Sequence, residues 1–427
     1  MTRLPLISIV LATHNRKDVV TRVIANVHEC GLPRHQYELI VVDNASTDGT
    51  SEAVAARVDS IIQLRKSLGS CAKAVGVDQA QGEYLVLLDD DSYPRPGSLA
   101  RMVEHFEADS ALAAAGFTVH LPDGRQECGA LPGVFVGCGV GLRAAAFRAV
   151  GGLDRRFFMQ AEEYDLCFRL VHAGWRIAVF HDLHVEHLKS PESRRAERTT
   201  YLDTRNNLLV AARYLSGYFW RIYADDWTQR YRWLAERDGH MPAFWRGLRA
   251  ARMRARLDRF RFRRHRLGAD AFEFFFRVRE LEERMVALRR EGVGRILFAD
   301  LGKNVYAFHH AARRAGIAIA AIADDRFAAP GRMYRGTPIL PAQQALQARF
   351  DAAVVSNAAP VHAGVTKARI EVCCKQPVFA WYAATGAGHC QIHSPEPGRR
   401  PEVSGKRAAD FSPRGRPKQL CTMGSDR

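Results

Sequence analysis

Apolar runs of strand length recur along the N-terminal half of the chain, and each is followed by polar residues and a segment suited to a helix. The runs occupy residues 6–12, 38–42 and 84–88. Uninterrupted apolar runs are typical of strands covered on both faces, and their alternation with helices predicts a βαβαβ pattern and a mostly parallel sheet. Ligands of such sheets bind at the carboxyl ends of the strands. The polar residues at these ends are Thr13, Asn15, Asp43, Asn44, Asp89 and Asp91.

The third run ends in three successive aspartates, Asp89, Asp90 and Asp91, and Pro94 then stops the strand. In extended chain Asp89 and Asp91 point to the same side, so their carboxylates can act together. Paired carboxylates suit Mg²⁺ or Mn²⁺, which prefer oxygen ligands and keep positions for phosphate oxygens. The alternative is an acidic turn after a strand, because aspartate is common in turns.

A second, smaller set of α/β elements follows the first. Residues 295–298, 317–322 and 352–356 are predicted strands with helices between them, which predicts a small Rossmann-like unit. It resembles the nucleotide- or CoA-binding domains attached to sugar-modifying enzymes. Its first loop has only Gly302 where a G-x-G-x-x-G pattern would bind a diphosphate. A structural or oligomerising unit without a ligand therefore remains the alternative.

The predicted organisation has four parts: an N-terminal α/β domain (1–215), a basic helical linker (216–291), the Rossmann-like unit (292–384) and a tail (385–427). The tail is rich in Gly, Pro, Ser and Arg without periodicity, which predicts disorder. Within the linker, residues 272–290 carry apolar side chains at helical spacing. They predict one helix that packs against the protein.

The formal net charge of +16 is unevenly placed, with ten arginines between Arg246 and Arg266. Leu, Met and Phe side chains lie among them, and the segment is predicted to be a helix that is basic nearly all round. One interpretation is a surface helix attracted to anionic lipid. Nucleic acid is a second partner class, although no specific nucleic acid is expected. A solvated linker helix is the third interpretation.

No window approaches the ~20 apolar residues of a membrane span, and the chain enters a strand without a signal peptide. Its nine cysteines include no C-x-x-C pair, so free thiols in a reducing compartment are expected. These features predict a cytoplasmic protein, with peripheral contact at the inner face of the membrane as an extension of the basic-helix hypothesis.

Six segments between about residues 6 and 214 resemble, in order, the family 2 glycosyltransferases of the GT-A fold. They are A-T-H-N-R (12–16), V-V-D-N-A-S-T-D-G-T (41–50), L-D-D-D (88–91), G-G-L-D-R-R-F-F (151–158), A-E-E-Y-D-L-C-F-R (161–169) and V-E-H (185–187). The resemblance implies an enzyme that moves a sugar from a UDP- or dTDP-sugar donor to a glycan or lipid-linked acceptor hydroxyl, with inversion, in cell-surface polysaccharide synthesis.

The resemblance also implies residue roles. Nucleotide-sugar binding falls to Thr13, Asn15, Arg16, Asp43, Asn44, Lys73 and Asp90. Mg²⁺ or Mn²⁺ is expected at Asp89, Asp91 and His187, with His181 and His184 as nearby competitors for the histidine position. Gly151, Gly152 and Asp154 are expected on the acceptor side. The carboxylates available as the base that deprotonates the acceptor hydroxyl are Glu162, Glu163 and Asp165.

Glu163 is the preferred base because it stands where the family usually has aspartate, although glutamate is one methylene longer. The other acids can be explained by the preference of carboxylates for helix N-termini. Lys73-Ala74 departs from the family's usual Arg-Asn, and this change leaves open a non-catalytic, nucleotide-sensing protein built on a degenerate transferase fold.

Overall fold

The computed structural model describes residues 4–189 and 196–383, which form two β-sheets with surrounding helices. This is the α/β fold class predicted from the sequence. The strands of the first sheet are β1 (Ile7–Thr13), β2 (Tyr37–Asp43), β3 (Ser60–Gln63), β4 (Tyr84–Asp89), β5 (Ser92–Pro94), β6 (Leu112–His120), β7 (Gln126–Glu127), β8 (Gly139–Arg143) and β9 (Arg176–His187). Its helices are α1 (Lys17–His28), α2 (Thr50–Val54), α3 (Lys73–Val77), α4 (Ser98–Ala108), α5 (Ala144–Ala149) and α6 (Glu162–His172). We call these elements the first α/β unit.

The first sheet is mixed. Its order is β3-β2-β1-β4-β8-β6-β9-β5, and β7 pairs with β6. Strands β1 to β4 pair in parallel, as the βαβαβ pattern predicts. Strand β8 runs antiparallel to both of its neighbours, β4 and β6, and β5 runs antiparallel to β9. Strand β6 pairs in parallel with β9, so the antiparallel strand β8 separates two parallel parts of the sheet.

Strand register brings the carboxyl ends of the parallel strands to one edge. Thr13 lies opposite Asp43, and Asp89 lies opposite Ala12 in the neighbouring strand. The short strand β5 turns back along the end of β9, with Ser92 opposite His187. This pairing carries His187 to the aspartate edge from a distant part of the chain.

Five linker helices follow: α7 (Ala196–Tyr214), α8 (Gly217–Asp238), α9 (Met241–Arg261), α10 (Ala269–Phe276) and α11 (Val278–Arg290). The prediction of one helix over residues 272–290 is wrong, because Arg277 adopts a left-handed conformation (φ 54°) that separates α10 from α11. The side chain of Asn304 donates a hydrogen bond to the carbonyl of Phe276 at this break (2.7 Å). Helix α10 thus ends at the residue whose carbonyl group is bound by Asn304, from a later part of the chain.

Helix α9 is not basic all round. Its buried face includes Phe244, Gly247 and Leu248, and it packs against α7. A Cβ atom at Gly247 would lie 2.6 Å from the carbonyl oxygen of Tyr201, so glycine permits the close approach of the two helices. The arginines are therefore concentrated on the remaining, outward faces.

The second α/β unit has the strands β10 (Arg295–Ala299), β11 (Ala318–Ala323), β12 (Met333–Tyr334), β13 (Thr337–Leu340), β14 (Ala352–Val355) and β15 (Val378–Phe379). Its helices are α12 (Val305–Arg314), α13 (Ala342–Ala345) and α14 (Pro360–Cys373). The sheet order is β12-β13-β11-β10-β14-β15, parallel except for β12. The predicted strands of this region match β10, β11 and β14 closely. The tail predicted as disordered lies outside the described residues.

One cluster of buried apolar side chains runs through both units and the linker helices. The ring centroids of Phe168 in α6 and Phe275 in α10 are 4.4 Å apart. Those of Tyr223 in α8 and Tyr306 in α12 are 5.5 Å apart. The linker helices are thus a packed layer between the two sheets. Among the helices of the described segments, none combines the length and apolar character needed to cross a membrane.

Candidate active site

Asp89 ends β4 and lies at the open edge of the sheet. The ammonium of Lys73, the first residue of α3, donates to Asp89 Oδ1 (2.6 Å) and to the carbonyl of Gly137 (2.9 Å). Lys73 is buried, which would lower its pKa, but the Asp89 carboxylate raises it. Lys73 therefore stays cationic and is bound by protein acceptors beside the expected nucleotide site.

Arg16 forms ion pairs with the next two aspartates, Asp90 and Asp91. Its guanidinium donates to Asp90 Oδ1 (2.5 Å) and to Asp91 Oδ2 (3.0 Å), and all three side chains are buried. Burial raises the pKa of Asp90 to about 6 in spite of Arg16. Burial also opposes ionisation of Asp91, but hydrogen bonds from His187 and Arg16 outweigh it and keep the pKa of Asp91 well below its ordinary value.

His187 connects the aspartates to the loop around β7. Its Nε2 lies 3.3 Å from Asp91 Oδ1, and its Nδ1 lies 2.6 Å from Glu127 Oε2 and 3.6 Å from Cys138 Sγ. Burial alone would lower the pKa of His187, but these partners raise it to about 12. His184 instead contacts His120 (3.1 Å between ring nitrogens). Of these two histidines, only His187 lies beside Asp91.

The polar residues after β1 and β2 mainly hold the loops of this edge together. Asn15 has φ 52°, and its Oδ1 accepts a hydrogen bond from the backbone of Thr47 (2.7 Å). Asp43 accepts one from the backbone of Ser46 (2.8 Å). The amide of Asn44 is bound at both ends, since it accepts from the backbone of Leu68 (2.7 Å) and donates to the carbonyl of Gly69 (2.9 Å).

A strained loop precedes α6. Phe158, Gln160 and Ala161 have φ of 68°, 70° and 63°, a conformation that costs free energy for residues with a Cβ atom. The amide nitrogen of Asn206 in α7 lies 2.7 to 3.0 Å from the carbonyls of Phe157, Met159 and Gln160, and so fixes this loop. The loop sets where Glu162 and Glu163 begin the helix.

Glu162 is buried, and Glu163, the next residue, is partly buried. Ser70 Oγ donates to Glu162 Oε1, and burial raises the pKa of Glu162 against that hydrogen bond. Burial, followed by the Glu162 carboxylate, raises the pKa of Glu163 well above its ordinary value, while Lys303 opposes the shift. A carboxyl group with a raised pKa suits a base that must gain and lose a proton near neutrality.

Asp165, the third candidate base, is instead a structural residue. Its Oδ2 accepts from Arg169 (2.6 Å), and its Oδ1 accepts from Arg213 (2.8 Å) and from the Tyr214 hydroxyl (2.6 Å). The side chain is 1% exposed. With both oxygens bound and no access to solvent, Asp165 cannot take a proton from an acceptor, which corrects the expectation of a catalytic role.

The same two arginines also bind the segment that is expected on the acceptor side. Asp154 accepts from Arg213 (2.9 Å), and Arg169 donates to the carbonyl of Gly152 (2.6 Å). Gly151 and Gly152 have φ of 84° and 64°, as their turn requires. Arg213 also donates to Asp258 of α9 (2.8 Å). We call Asp154, Asp165, Arg213 and Asp258 the Arg213 network.

The donors around His187 fit a divalent cation that replaces the imidazole proton, because only the neutral ring is a metal ligand. In the part of the chain that the structure describes, ligand atoms of Asp89, Cys138 and His187 all lie within 4.8 Å of one another. Carboxylate and imidazole ligands suit Mn²⁺ better than Mg²⁺, which demands oxygen. Burial raises the pKa of Cys138, so its thiol stays protonated and is the weakest donor of the three. Asp91 contacts the same imidazole, so both expected aspartates converge on His187.

Several residues that shape this site were not predicted from the sequence. Glu127, Cys138, Ser70 and Asn206 lie outside the six family-like segments and reach the site only through tertiary packing. Glu127 sits on a two-residue strand, and Cys138 is a lone cysteine. Neither carries a periodic or spacing signal that could have marked it.

Two family models match overlapping parts of the chain. Residues 8–132 match Glycosyl transferase family 2, and residues 113–269 match Glycosyl transferase family group 2. The second match extends through α7 to the start of α10, so it includes the helices that complete the Arg213 network.

Among curated proteins, the chain is similar to the succinoglycan biosynthesis protein ExoO of Rhizobium meliloti, with 33% identity over 131 residues, 29% of this chain and 36% of that protein. It is also similar to the putative teichuronic acid biosynthesis glycosyltransferase TuaG of Bacillus subtilis, with 27% identity over 127 residues, 28% of this chain and 50% of that protein. The matched part thus spans about a third to a half of these relatives.

The solved structure of S. aureus TarS 1-349 superposes with a TM-score of 0.45 and 14% identity, over 78% of this chain and 98% of that one. Taken together, the two family models span residues 8–269 and overlap over residues 113–132, which include most of β6 and all of β7. This part of the chain is therefore similar to family 2 glycosyltransferases.

Proposed function

We propose that the protein is a metal-dependent, inverting glycosyltransferase. The observation that supports this function best is the proximity of an acid pair to the aspartate edge. The segment of residues 69–73 bonds both: Ser70 donates to Glu162, and Lys73 donates to Asp89. A group that can accept a proton therefore lies next to the edge where parallel sheets bind their ligands.

Glu163 is proposed as the base. It takes the proton of the acceptor hydroxyl as the hydroxyl oxygen forms a bond to the anomeric carbon of the donor. The bond from that carbon to the diphosphate breaks, and the diphosphate leaves with the electron pair. A single displacement of this kind inverts the anomeric centre. A cation bound by Asp89, Asp91 and His187 would supply positive charge to the leaving diphosphate.

The proposed donor is a UDP- or dTDP-sugar, and the proposed acceptor is a glycan or lipid-linked hydroxyl in cell-surface polysaccharide synthesis. Support comes from the printed roles of two relatives, in succinoglycan and in teichuronic acid biosynthesis. Asn44, expected to bind the nucleotide-sugar, is held by residues 68 and 69 through one donated and one accepted hydrogen bond. One donor and one acceptor position of its amide remain for the nucleotide.

We further propose that the outward face of α9 contacts an anionic membrane at its cytoplasmic side. Met253, Leu257 and Phe260 are 73%, 45% and 64% exposed and lie one helical turn apart on this face. Exposed arginines surround them: Arg246, Arg249, Arg252, Arg256, Arg261, Arg263 and Arg264. Apolar side chains flanked by cations match an anionic lipid surface, and this surface is also where a lipid-linked acceptor resides.

The test is a panel of UDP- and dTDP-sugars incubated with the purified protein, with Mn²⁺, Mg²⁺ or excess EDTA, and with hydrolysis and transfer both measured. Glu163→Gln should lose roughly 10²-fold in rate, the scale of general-base catalysis, while donor affinity by calorimetry is unchanged. If Glu162→Gln is the inactive variant and Glu163→Gln is active, the base is Glu162. Donor binding without turnover across the panel would favour the nucleotide-sensing alternative.

A further inference from the structure

The loop after β10, residues 300–304, is bound by the protein itself. In parallel sheets this loop usually contacts a ligand. Here it is held by hydrogen bonds from Arg230 to the carbonyl of Leu301 (2.5 Å), from Trp227 to the carbonyl of Lys303 (3.0 Å) and from Tyr223 to Asn304 Oδ1 (2.7 Å). A Cβ atom at Gly302 would lie 2.6 Å from the carbonyl oxygen of Ser356, so the loop is packed against the next strand end. This favours the alternative in which the second α/β unit has no nucleotide of its own.

The loop delivers one cation into the glycosyltransferase domain. The Lys303 ammonium donates to Asn207 Oδ1 of α7 (2.6 Å). It lies 3.8 Å from the ring centroid of Tyr164 in α6 and 4.9 Å from that of Trp227 in α8. Tyr164 directly follows Glu163, and Asn207 bonds back to the carbonyl of Asp203 one turn earlier (2.9 Å). Lys303 is thus enclosed by three helices beside the proposed base.

The charges that face Lys303 come from each of these helices. Asp203 of α7 and Glu163 of α6 attract the ammonium, and Arg230 of α8 repels it. Burial lowers the pKa of Lys303 to about 7 against the attraction of the two carboxylates.

Asp203 and Glu163 in turn depend on this cation. Burial raises the pKa of Asp203 to about 6, with Lys303, Arg230 and Arg326 opposing and Glu162 adding to the shift. At Glu163 the opposing cation is again Lys303. The second unit therefore provides a positive charge that acts on carboxylates of both α6 and α7.

We propose that Lys303 is a positioning residue of the transferase site, a cation from the second α/β unit that favours the ionised form of the Glu163 carboxylate for the acceptor hydroxyl. The proposal rests on the proposed function of Glu163. It gives the second unit a task in the reaction: without the cation, burial and Glu162 both drive Glu163 to its protonated form, which cannot accept a proton. Removing Lys303 should therefore raise the pH at which Glu163 ionises.

The first experiment compares the pH profiles of kcat/KM of the full chain, Lys303→Met, Lys303→Arg and Lys367→Met. Activity needs ionised Glu163, so it falls as the pH drops below the pKa of that group. A nearby opposite charge lowers a carboxyl pKa by roughly 1 to 3 units. With a contribution at the low end of that range, Lys303→Met should move the acidic limb upward by about one unit and lose roughly tenfold at the acidic end. Lys303→Arg should return the acidic limb most of the way to its position in the unchanged protein.

Lys367 is the matched control, an exposed lysine of α14 that pairs with Glu371 (2.6 Å). Its replacement should leave the profile unchanged. Thermal unfolding of every variant separates a lost charge from lost packing. If Lys303→Met lowers the rate equally at all pH values, Lys303 is structural and the proposal is wrong.

A second measurement does not depend on turnover. The side chain of Lys303 is titrated by NMR with isotopically labelled lysine, and its signal is assigned by its loss in Lys303→Met. Glu163→Gln removes a negative neighbour and should lower the pKa of Lys303 below its value in the unchanged protein. A lowered pKa together with an active Glu163→Gln enzyme would keep the electrostatic contact and refute only the base assignment. An unchanged pKa would overturn the inference about Lys303, whatever the activity.

Discussion

At the scale of single residues, the contact between Asp91 and His187 is the one on which the metal proposal depends. Asp91 is shared between the imidazole and Arg16, so its charge is already paired in the protein. An ion bound here would compete with Arg16 for one carboxylate. Substitution of Asp91 should therefore disturb Arg16 and His187 together, whereas the side chain of Asp89 is 39% exposed and pairs with Lys73.

Asp91→Asn should abolish sugar transfer in the presence of Mn²⁺ because it removes a charged ligand, while thermal unfolding shows that the fold persists. Asp182→Asn is the matched control, since Asp182 also contacts a histidine, His105 (3.0 Å), but away from the sheet edge. Full activity of Asp91→Asn, or of the unchanged protein in excess EDTA, would remove the metal from the mechanism.

The residues of the strand ends could be predicted because a strand followed by acids is a local pattern. The residues that position these strand-end groups and their neighbours could not be predicted. Glu127 braces His187 and Asn206 fixes the loop before Glu162, and both depend on which distant segments pack together. Asp165 shows the opposite error: its place in a family-like segment suggested catalysis, whereas Arg169 and Arg213 use both of its oxygens.

At the scale of elements, α9 separates two functions between its faces. The face toward α7 is apolar and closely packed around Gly247, and the outward face combines arginines with Met253, Leu257 and Phe260. The sequence predicted a helix here, but it could not predict the rotation of that helix about its axis. The apolar residues therefore seemed dispersed, although they share one exposed stripe.

Vesicle co-sedimentation at low and high salt tests this face. The triple variant Arg249→Gln, Arg252→Gln, Arg256→Gln should bind anionic vesicles roughly 10²-fold more weakly at low salt, since each basic residue contributes about 1 kcal/mol near the surface. Binding of the unchanged protein should fall as salt rises, because these charges are screened. Serine at positions 253, 257 and 260 should weaken the binding that persists at high salt.

The control for that experiment is the exposed set Arg279→Gln, Arg289→Gln, Arg290→Gln on α11, which removes the same charge elsewhere. If both arginine triples weaken binding equally, only net charge matters and α9 is not a docking face. Absence of binding at low salt would leave α9 as a solvated helix, and equal binding to neutral vesicles would assign the contact to the apolar stripe alone.

At the scale of the whole molecule, the two α/β units share one buried apolar cluster, and Trp227 lies at its centre with 1% exposure. The sequence could predict both units from their alternating patterns. It could not predict that the linker helices would fuse them, because aromatic contacts such as that of Tyr223 with Tyr306 join residues far apart in the chain.

Calorimetry should therefore show one unfolding transition for both units. Trp227→Ala should lower its midpoint through a loss of about 3–5 kcal/mol, the usual cost of removing a large buried ring. Trp245→Ala, at a 53% exposed position of α9, should change stability by no more than about 0.5 kcal/mol. Two transitions, of which only one responds to Trp227→Ala, would show that the units unfold independently.

Asp258 helps to fix the rotation of helix α9 about its axis. It is the only acidic residue between Arg246 and Arg266, it is fully buried, and it accepts a hydrogen bond from Arg213 (2.8 Å). The apolar face of α9 already favours the side toward α7, and the buried ion pair with Arg213 adds a polar constraint on the same side. The single buried carboxylate of this segment therefore helps to determine which of its guanidinium groups face the solvent.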